Sequence, residues 1–359
     1  MFCIAAFIVF AILALFSASY RPLAAKAWRC VLRRVTFRPC DINFSEELKG
    51  KLLGKLIFTH PRLARFLNRW IDWLAFVFVI LSIWSLFYVA NAGLNLWVYD
   101  TCDPRDVESC SLGGEACGVG QEKLGLVQSI QDGRLDEWVT GPFTRFAETV
   151  SRLPDRLKQW EPSAYLSPSA SYYRALDEEK PYVIEIIDPG CQFCKKLTKN
   201  LKEASVMEAR NVSYLLYPIP KPEGGYKFPH SYFIASYLEA VKHVPLGSNP
   251  PADWQLLEKI FADPAGLDEI DIQTKINIGM LREDVEKQLR EWLAEIGYTA
   301  AQIRQIETAA TSEEVRLSLE AQKFIVESRI RTIKIPTLLI DSRRHDRVVD
   351  METLREHLE

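Results

Sequence analysis

The sequence predicts an α/β domain with a long helical insertion, preceded by two membrane-spanning helices. Three observations point there. A short apolar strand, Tyr182 to Ile187, stops at Asp188-Pro189-Gly190 and delivers Cys191-Gln192-Phe193-Cys194 into a helix. A second apolar strand, Leu338 to Asp341, begins just after Pro336 and follows the largely helical stretch Lys195 to Lys334. Two apolar runs lie near the N-terminus, Phe2 to Ser19 and Leu74 to Ala92.

Taken in order, Phe2 to Ser19 carries no charge and approaches the roughly 20 residues needed to cross a hydrocarbon core. A cleaved secretory signal competes, but such signals carry a basic leading region, and no basic residue precedes Phe2, so a retained helix over 1–20 is expected. The second span, over 71–92, is flanked by Trp70, Trp73, Tyr88, Trp97 and Tyr99 as interfacial aromatics. Its alternative, a buried core helix, lacks nearby apolar partners in the chain.

Between the spans the segment 21–70 is rich in Arg and Lys, among them Arg29, Arg33, Arg34, Lys49 and Lys51, against only Asp41, Glu46 and Glu47. After the second span the flank is acidic, with Asp100, Asp103, Asp106 and Glu108. The positive-inside rule then places 21–70 in the cytoplasm and everything after about residue 93 on the periplasmic or extracellular side. Ser45 to Leu56 and Pro61 to Trp70 read as short amphipathic helices on the membrane face. The basic loop is a topological determinant, with anionic lipid headgroups as the alternative partner.

That orientation sets the redox environment of the cysteines. Cys30 and Cys40 are expected as reduced thiols inside, while Cys102, Cys110 and Cys117 fall outside, where disulfides persist. Three is an odd set. One internal bridge, a structural staple of the loop, leaves one thiol to pair with a second copy of the chain or with the active pair during exchange.

The extracytoplasmic segment 93–164 continues with a glycine-containing loop and an amphipathic stripe, Leu135, Trp138, Val139, Phe143, Phe146, Val150, Leu153, Leu157 and Trp160, interrupted at Gly141-Pro142 and Pro154. The stripe is to be covered by the following domain, the membrane surface or a second subunit in a homodimer. Pro- and Ser-rich residues 161–169 mark the boundary to a domain over 165–359.

In that domain Val183, Ile184, Ile186 and Ile187 form a buried strand, Pro189-Gly190 the turn, and Lys195 to Glu208 a helix with Leu197, Leu201, Ala204 and Val206 inward. Cys191 sits at the helix N-terminus, where unpaired N–H groups and the macrodipole stabilise a thiolate and lower its pKa from a free value of about 8.5. Cys194, one turn further in, is the buried resolving thiol. Glu185 lies inside the apolar strand, where a charge is costly unless it has a partner or a task. A lone Cys-Xaa-Xaa-Cys also fits half of a zinc site, the alternative to a redox pair. Further elements follow in order: a strand over Val212 to Tyr217, an insertion of helices over about 229–328 with Ser312 capping its last member, an antiparallel pair of Leu338 to Asp341 with Arg347 to Val349, and a closing helix over Met351 to Leu358. His230 and His243 read as surface or cap residues.

Glu185, Cys191 with Cys194, and Ile335-Pro336 together resemble the thioredoxin fold, in its DsbA-like branch. The resemblance covers about 165–359, and the long helical connection between pair and proline is what narrows it to that branch. It departs from the best-known members at the dipeptide, Gln192-Phe193. The resemblance implies a cis-proline at Pro336 that leaves the Ile335 backbone open to an extended substrate, with Phe193 and Gln192 as further contacts. It implies a redox-active disulfide in place of any cofactor or metal and protein clients with thiols or disulfides; a redox partner in the membrane is one option for the electron partner, which the sequence leaves open.

The function expected is therefore a membrane-anchored, extracytoplasmic thiol–disulfide oxidoreductase with catalytic residues Cys191, Cys194 and Glu185. A net charge of −3 over 359 residues gives no reason to expect nucleic acid. The alternative is a non-catalytic membrane-tethered adaptor that uses the same fold as a binding scaffold.

Overall fold

The computed structural model describes residues 2–36, 61–105, 107, 115–120, 125–263 and 271–358. The chain divides into two compact units, 1–91 and 92–359.

In the first unit, helix α1 (Phe2–Phe16) is followed by a short 3-10 turn and helix α2 (Arg21–Val35). The rings of Phe7 and Trp28 meet at 5.0 Å, and Ala27 and Cys30 are buried. At 15 residues, α1 is shorter than the run expected and short of the roughly 20 residues of a straight crossing. Cys30, expected as a reduced cytoplasmic thiol, is disulfide-bonded.

Helix α3 (Pro61–Tyr99) is one continuous element of 39 residues. The separate amphipathic helix expected over Pro61 to Trp70 is its first part, because no glycine or proline interrupts the run from Arg62 to Ala92. Its stretch Trp73–Tyr99 is, among the described residues, the one helix long and apolar enough to cross a membrane. Leu81, Ile83, Leu86 and Val89 stand exposed along it. The helix expected over Ser45 to Leu56 lies outside the described residues.

In the second unit the chain forms a two-residue strand β1 (Cys117–Gly118), a short helix α4 (Leu126–Gln131), and helices α5 (Leu135–Ser151) and α6 (Leu153–Leu157). The expected interruption at Gly141-Pro142 does not occur, and α5 runs through Pro142. Asn95, buried in the last turns of α3, accepts a hydrogen bond from the Thr149 hydroxyl at 2.8 Å. Much of the stripe stays uncovered, with Val139 and Phe143 about half exposed.

A four-stranded sheet carries the rest. Strand β2 (Tyr182–Ile187) lies between β3 (Asn211–Leu216), parallel to it, and β5 (Thr337–Ile340), antiparallel; β6 (Arg343–His345) closes the far edge. A central strand covered on both faces needs a near-continuous apolar run, and Val183 to Ile187 are all buried. Between β2 and β3 runs α7 (Gln192–Glu203), whose Leu197 and Leu201 are fully buried. It ends before the expected Glu208, because Ser205 takes a positive φ of 63° and starts a separate turn, α8 (Val206–Ala209).

The insertion supplies α9 (Ser231–Val241), α10 (Ala252–Ile260), α11 (Arg282–Ile296), α12 (Ala300–Ala310) and α13 (Glu313–Phe324). Ser312 caps α13 as expected, accepting from the Val315 N–H at 3.3 Å. Trp254 of α10 is fully buried, edge-on to Tyr214 of β3 at 4.8 Å. Gln322 of α13 also reaches the sheet: its Oε1 accepts from the Leu216 N–H at 2.8 Å.

Strand β4 (Lys334–Ile335) pairs antiparallel with β1, and α14 (Met351–Glu356) closes the chain. The partner of β5 is 343–345 rather than the expected Arg347 to Val349. A two-residue hairpin turn of type I′ has φ > 0 at both centres, as Asp341 (44°) and Ser342 (63°) do. That dipeptide is a weak turn signal in sequence, so the hairpin looked longer than it is.

Candidate active site

Strand β2 ends at Asp188, and the chain turns through Pro189-Gly190 into α7 with Cys191 as its N-cap residue. The turn tolerates only glycine at 190: a Cβ there would collide with Cβ and Cγ of Phe228. The insertion holds the turn from outside. Gln273 Nε2 donates to the carbonyls of Pro189 (2.9 Å) and Cys191 (3.0 Å), and Asn277 Nδ2 donates to Pro189 at 3.2 Å.

Cys194 is fully buried in the first turn of α7, its Sγ accepting from the Asp188 N–H at 3.4 Å. Burial pushes its thiol well above the usual range, and the nearby carboxyls of Glu185 and Asp188 add to that. Glu185, fully buried in β2, is pushed up to about 8 by burial, against the lowering effect of a hydrogen bond from Thr198. Thr198 Oγ1 lies 2.9 Å from Glu185 Oε1 and 3.0 Å from the Cys194 carbonyl. The acid is thus held mostly protonated at neutral pH, beneath the turn that carries the second cysteine.

Asp188 carried no weight in the sequence, where it reads as a turn residue before Pro189. In the structure it is fully buried, accepts from the N–H groups of Gly190 (2.8 Å) and Ile219 (2.7 Å), and is raised by burial to about 7. Thr198 joins the site as well. Its position, four residues after Cys194 and so on the same helix face, is the signal that was there to read.

Ile335-Pro336 lies across from the cysteine turn. The bond is cis, and the Ile335 carbonyl is 3.7 Å from Cys191 Sγ. Phe193 is half-buried against the core and Gln192 is exposed.

Cys191, at the helix N-terminus as expected, is fully buried, and its sulfur meets that of another cysteine. Cys117 is disulfide-bonded to Cys191, with Cα atoms 6.6 Å apart, while Cys194 is free. Of the three cysteines Cys102, Cys110 and Cys117, it is Cys117 that meets the active pair, one of the two partners open to the thiol left over. Strand pairing of β1 with β4 brings it to the active-site turn, a long-range contact that sequence spacing does not encode. Cys102 is disulfide-bonded, and Cys110 lies outside the described residues. Among the described residues no group of three or more His, Cys, Asp and Glu side chains is arranged to hold a metal ion.

A sheet ordered β3-β2-β5-β6, with a Cys-Xaa-Xaa-Cys turn after β2 and a cis-proline before β5, decides the fold. It is thioredoxin-like, with a DsbA-type helical insertion. Solved structures similar to the chain include ScsC from Proteus mirabilis in a transitional conformation (14% identity, 66% of this chain and 97% of that one, TM-score 0.36). Others are a periplasmic thioredoxin-like protein from Salmonella enterica serovar Typhimurium (16%, 55% and 92%, TM-score 0.38) and the thiol-disulfide exchange protein α-DsbA2 from Wolbachia pipientis (13%, 53% and 85%, TM-score 0.35). No protein-family model and no curated protein matches the sequence. At these identities and scores the likenesses carry no argument about the site, which rests on its own residues.

Proposed function

We propose that the chain is a membrane-tethered thiol–disulfide oxidoreductase that exchanges disulfides with protein clients on the extracytoplasmic side. One observation carries the reading above the others: Cys191 caps a 12-residue helix, engaged in a disulfide, with a free, buried second thiol one turn behind it. A structural bridge has no use for such a thiol. An exchanging centre does, because the second thiol resolves the mixed disulfide.

In the forward sense the Cys191 thiolate, stabilised by the helix N-terminus, attacks a client disulfide and one client sulfur leaves as a thiolate. Cys194 then attacks Cys191 Sγ, the client's second thiol departs, and the Cys191–Cys194 disulfide remains. In the reverse sense a client thiolate attacks that disulfide. In the fraction of molecules where Glu185 is ionised, its carboxylate takes the proton Cys194 must lose, from its buried place beneath the turn. Ile335 offers its backbone to an extended client segment, and Phe193 with Gln192 flanks the entry.

The tether is the Trp73–Tyr99 part of α3, with its basic flank cytoplasmic and the 165–359 domain outside. A second crossing by α1 is not required by this reading. The adaptor reading keeps one observation in its favour, the complete burial of Cys191. Insulin reduction by the detergent-solubilised chain separates the two: turnover lost in Cys191→Ser supports exchange, and no turnover from the wild type after reduction supports the adaptor.

A further inference from the structure

Residues 115–119 are laid across the active site as an extended segment. Cys117 stands opposite Ile335 and Gly118 opposite Lys334 in an antiparallel register, and the Val119 N–H donates to the Ile333 carbonyl at 2.9 Å. At the other end the Glu115 carbonyl accepts from the Val348 N–H at 3.0 Å, and its carboxylate meets Lys196 Nζ at 2.6 Å. Gly118 is small where it must be: a Cβ there would stand 3.0 Å from Val107. Most of these ties are main-chain hydrogen bonds to a strand edge, the sequence-tolerant way in which an extended peptide is bound. The sulfur of the segment is bonded to the N-cap cysteine.

We propose that Cys117 is a third redox-active cysteine, and that residues 115–119 are a tethered substrate that docks on Lys334–Ile335 and exchanges its sulfur with Cys191. The proposal rests on the exchange reading above and adds an intramolecular partner to it. The step conserves disulfides. When Glu185 is ionised, Cys194 gives its proton to that carboxylate, and the Cys194 thiolate attacks Cys191 Sγ. The Cys117–Cys191 bond breaks as the Cys191–Cys194 bond forms, and Cys117 leaves with the electron pair and takes a proton from solvent. No outside oxidant or reductant enters. In the reverse step Cys117 attacks the Cys191–Cys194 disulfide and the segment closes over the site.

Closed, the segment occupies the strand edge and the sulfur that a client needs. A client then competes with a partner on the same chain whose effective concentration is on the order of millimolar. Release of Cys117 is what opens the site, so the step gates exchange as well as feeding it.

The test uses the full chain in detergent, carrying Cys194→Ala so that the adduct on Cys191 is not resolved. After mild oxidation and alkylation, non-reducing digestion and mass spectrometry are expected to find the Cys117 and Cys191 peptides joined. Adding Cys117→Ser, with Cys117→Ala beside it as a check on folding, is expected to raise the rate of adduct formation between Cys191 and reduced, unfolded ribonuclease under the same oxidation by at least about tenfold, as removal of a tethered competitor requires. Equal adduct rates with and without Cys117, and no joined peptide, overturn the proposal while leaving the exchange reading intact. If Cys191 forms no adduct in any variant and the wild type reduces no insulin, the exchange reading falls and the proposal with it.

Discussion

The Thr198 hydroxyl stands between the Glu185 carboxyl, at 2.9 Å, and the Cys194 carbonyl, at 3.0 Å, so the buried acid is coupled to the turn that holds the resolving thiol. Burial raises both Glu185 and Cys194, and a charge on Glu185 raises Cys194 further. One proton shared across this pair is cheaper than two ions, which makes the acid a proton store for Cys194.

Stability should therefore depend on pH in a particular direction. Below 4.5, the unfolded value for Glu185, its carboxyl is protonated in both states and costs nothing. From 4.5 towards 8 the unfolded chain loses that proton while the folded chain keeps it, so stability falls, by up to ~1.4 kcal/mol per pH unit, and levels off above 8. Asp188 adds the same sign between 3.8 and about 7. The thermal midpoint of the reduced chain is expected to drop from pH 5 to pH 8, and Glu185→Gln to flatten that slope; a midpoint that rises over the same range contradicts the assignment.

Thr198→Val removes the hydrogen bond that lowers Glu185, so the pKa of the acid moves further up. The pH profile of the Cys194-dependent step should shift to higher pH with it. Single-turnover release of a mixed disulfide, followed across pH in the variant and the wild type, checks this.

Cys191→Ser should abolish turnover altogether. Cys194→Ala should leave Cys191 in adducts that do not resolve, first with Cys117 of the same chain and, once Cys117 is also removed, with clients. Non-reducing electrophoresis of the two variants distinguishes the intramolecular from the intermolecular species.

Gly190→Ala drives a methyl group into Phe228 in a packed turn. Overpacking of this kind costs roughly 1–3 kcal/mol, and here it also displaces Cys191. A lower denaturation midpoint and slower exchange are expected together.

The site was legible where local chemistry dictates it. The apolar run of β2, the turn at Pro189-Gly190, the N-cap position of Cys191 and the cap at Ser312 each follow from a few adjacent residues. The acid at Glu185 stands out because it interrupts an apolar strand, where a charge is costly. What stayed hidden depends on distance along the chain. Gln273 and Asn277 hold the cysteine turn from the insertion, and Cys117 reaches Cys191 across 74 residues by a strand pairing of two residues. A two-residue strand has no period to detect. The early helices differ from expectation for another reason: an apolar run sets how much surface avoids water, while the helix boundary is set by turns such as the one at Ala18–Tyr20.

The most direct test equilibrates the full chain across a series of glutathione redox buffers and reads Cys191 by differential alkylation. Cys191 is expected to pass from protected to reactive with a two-electron slope at a defined potential, and to do so unchanged in the presence of a metal chelator. A Cys191 that stays reactive at every poise, or is protected only while a metal ion is bound, would contradict the account.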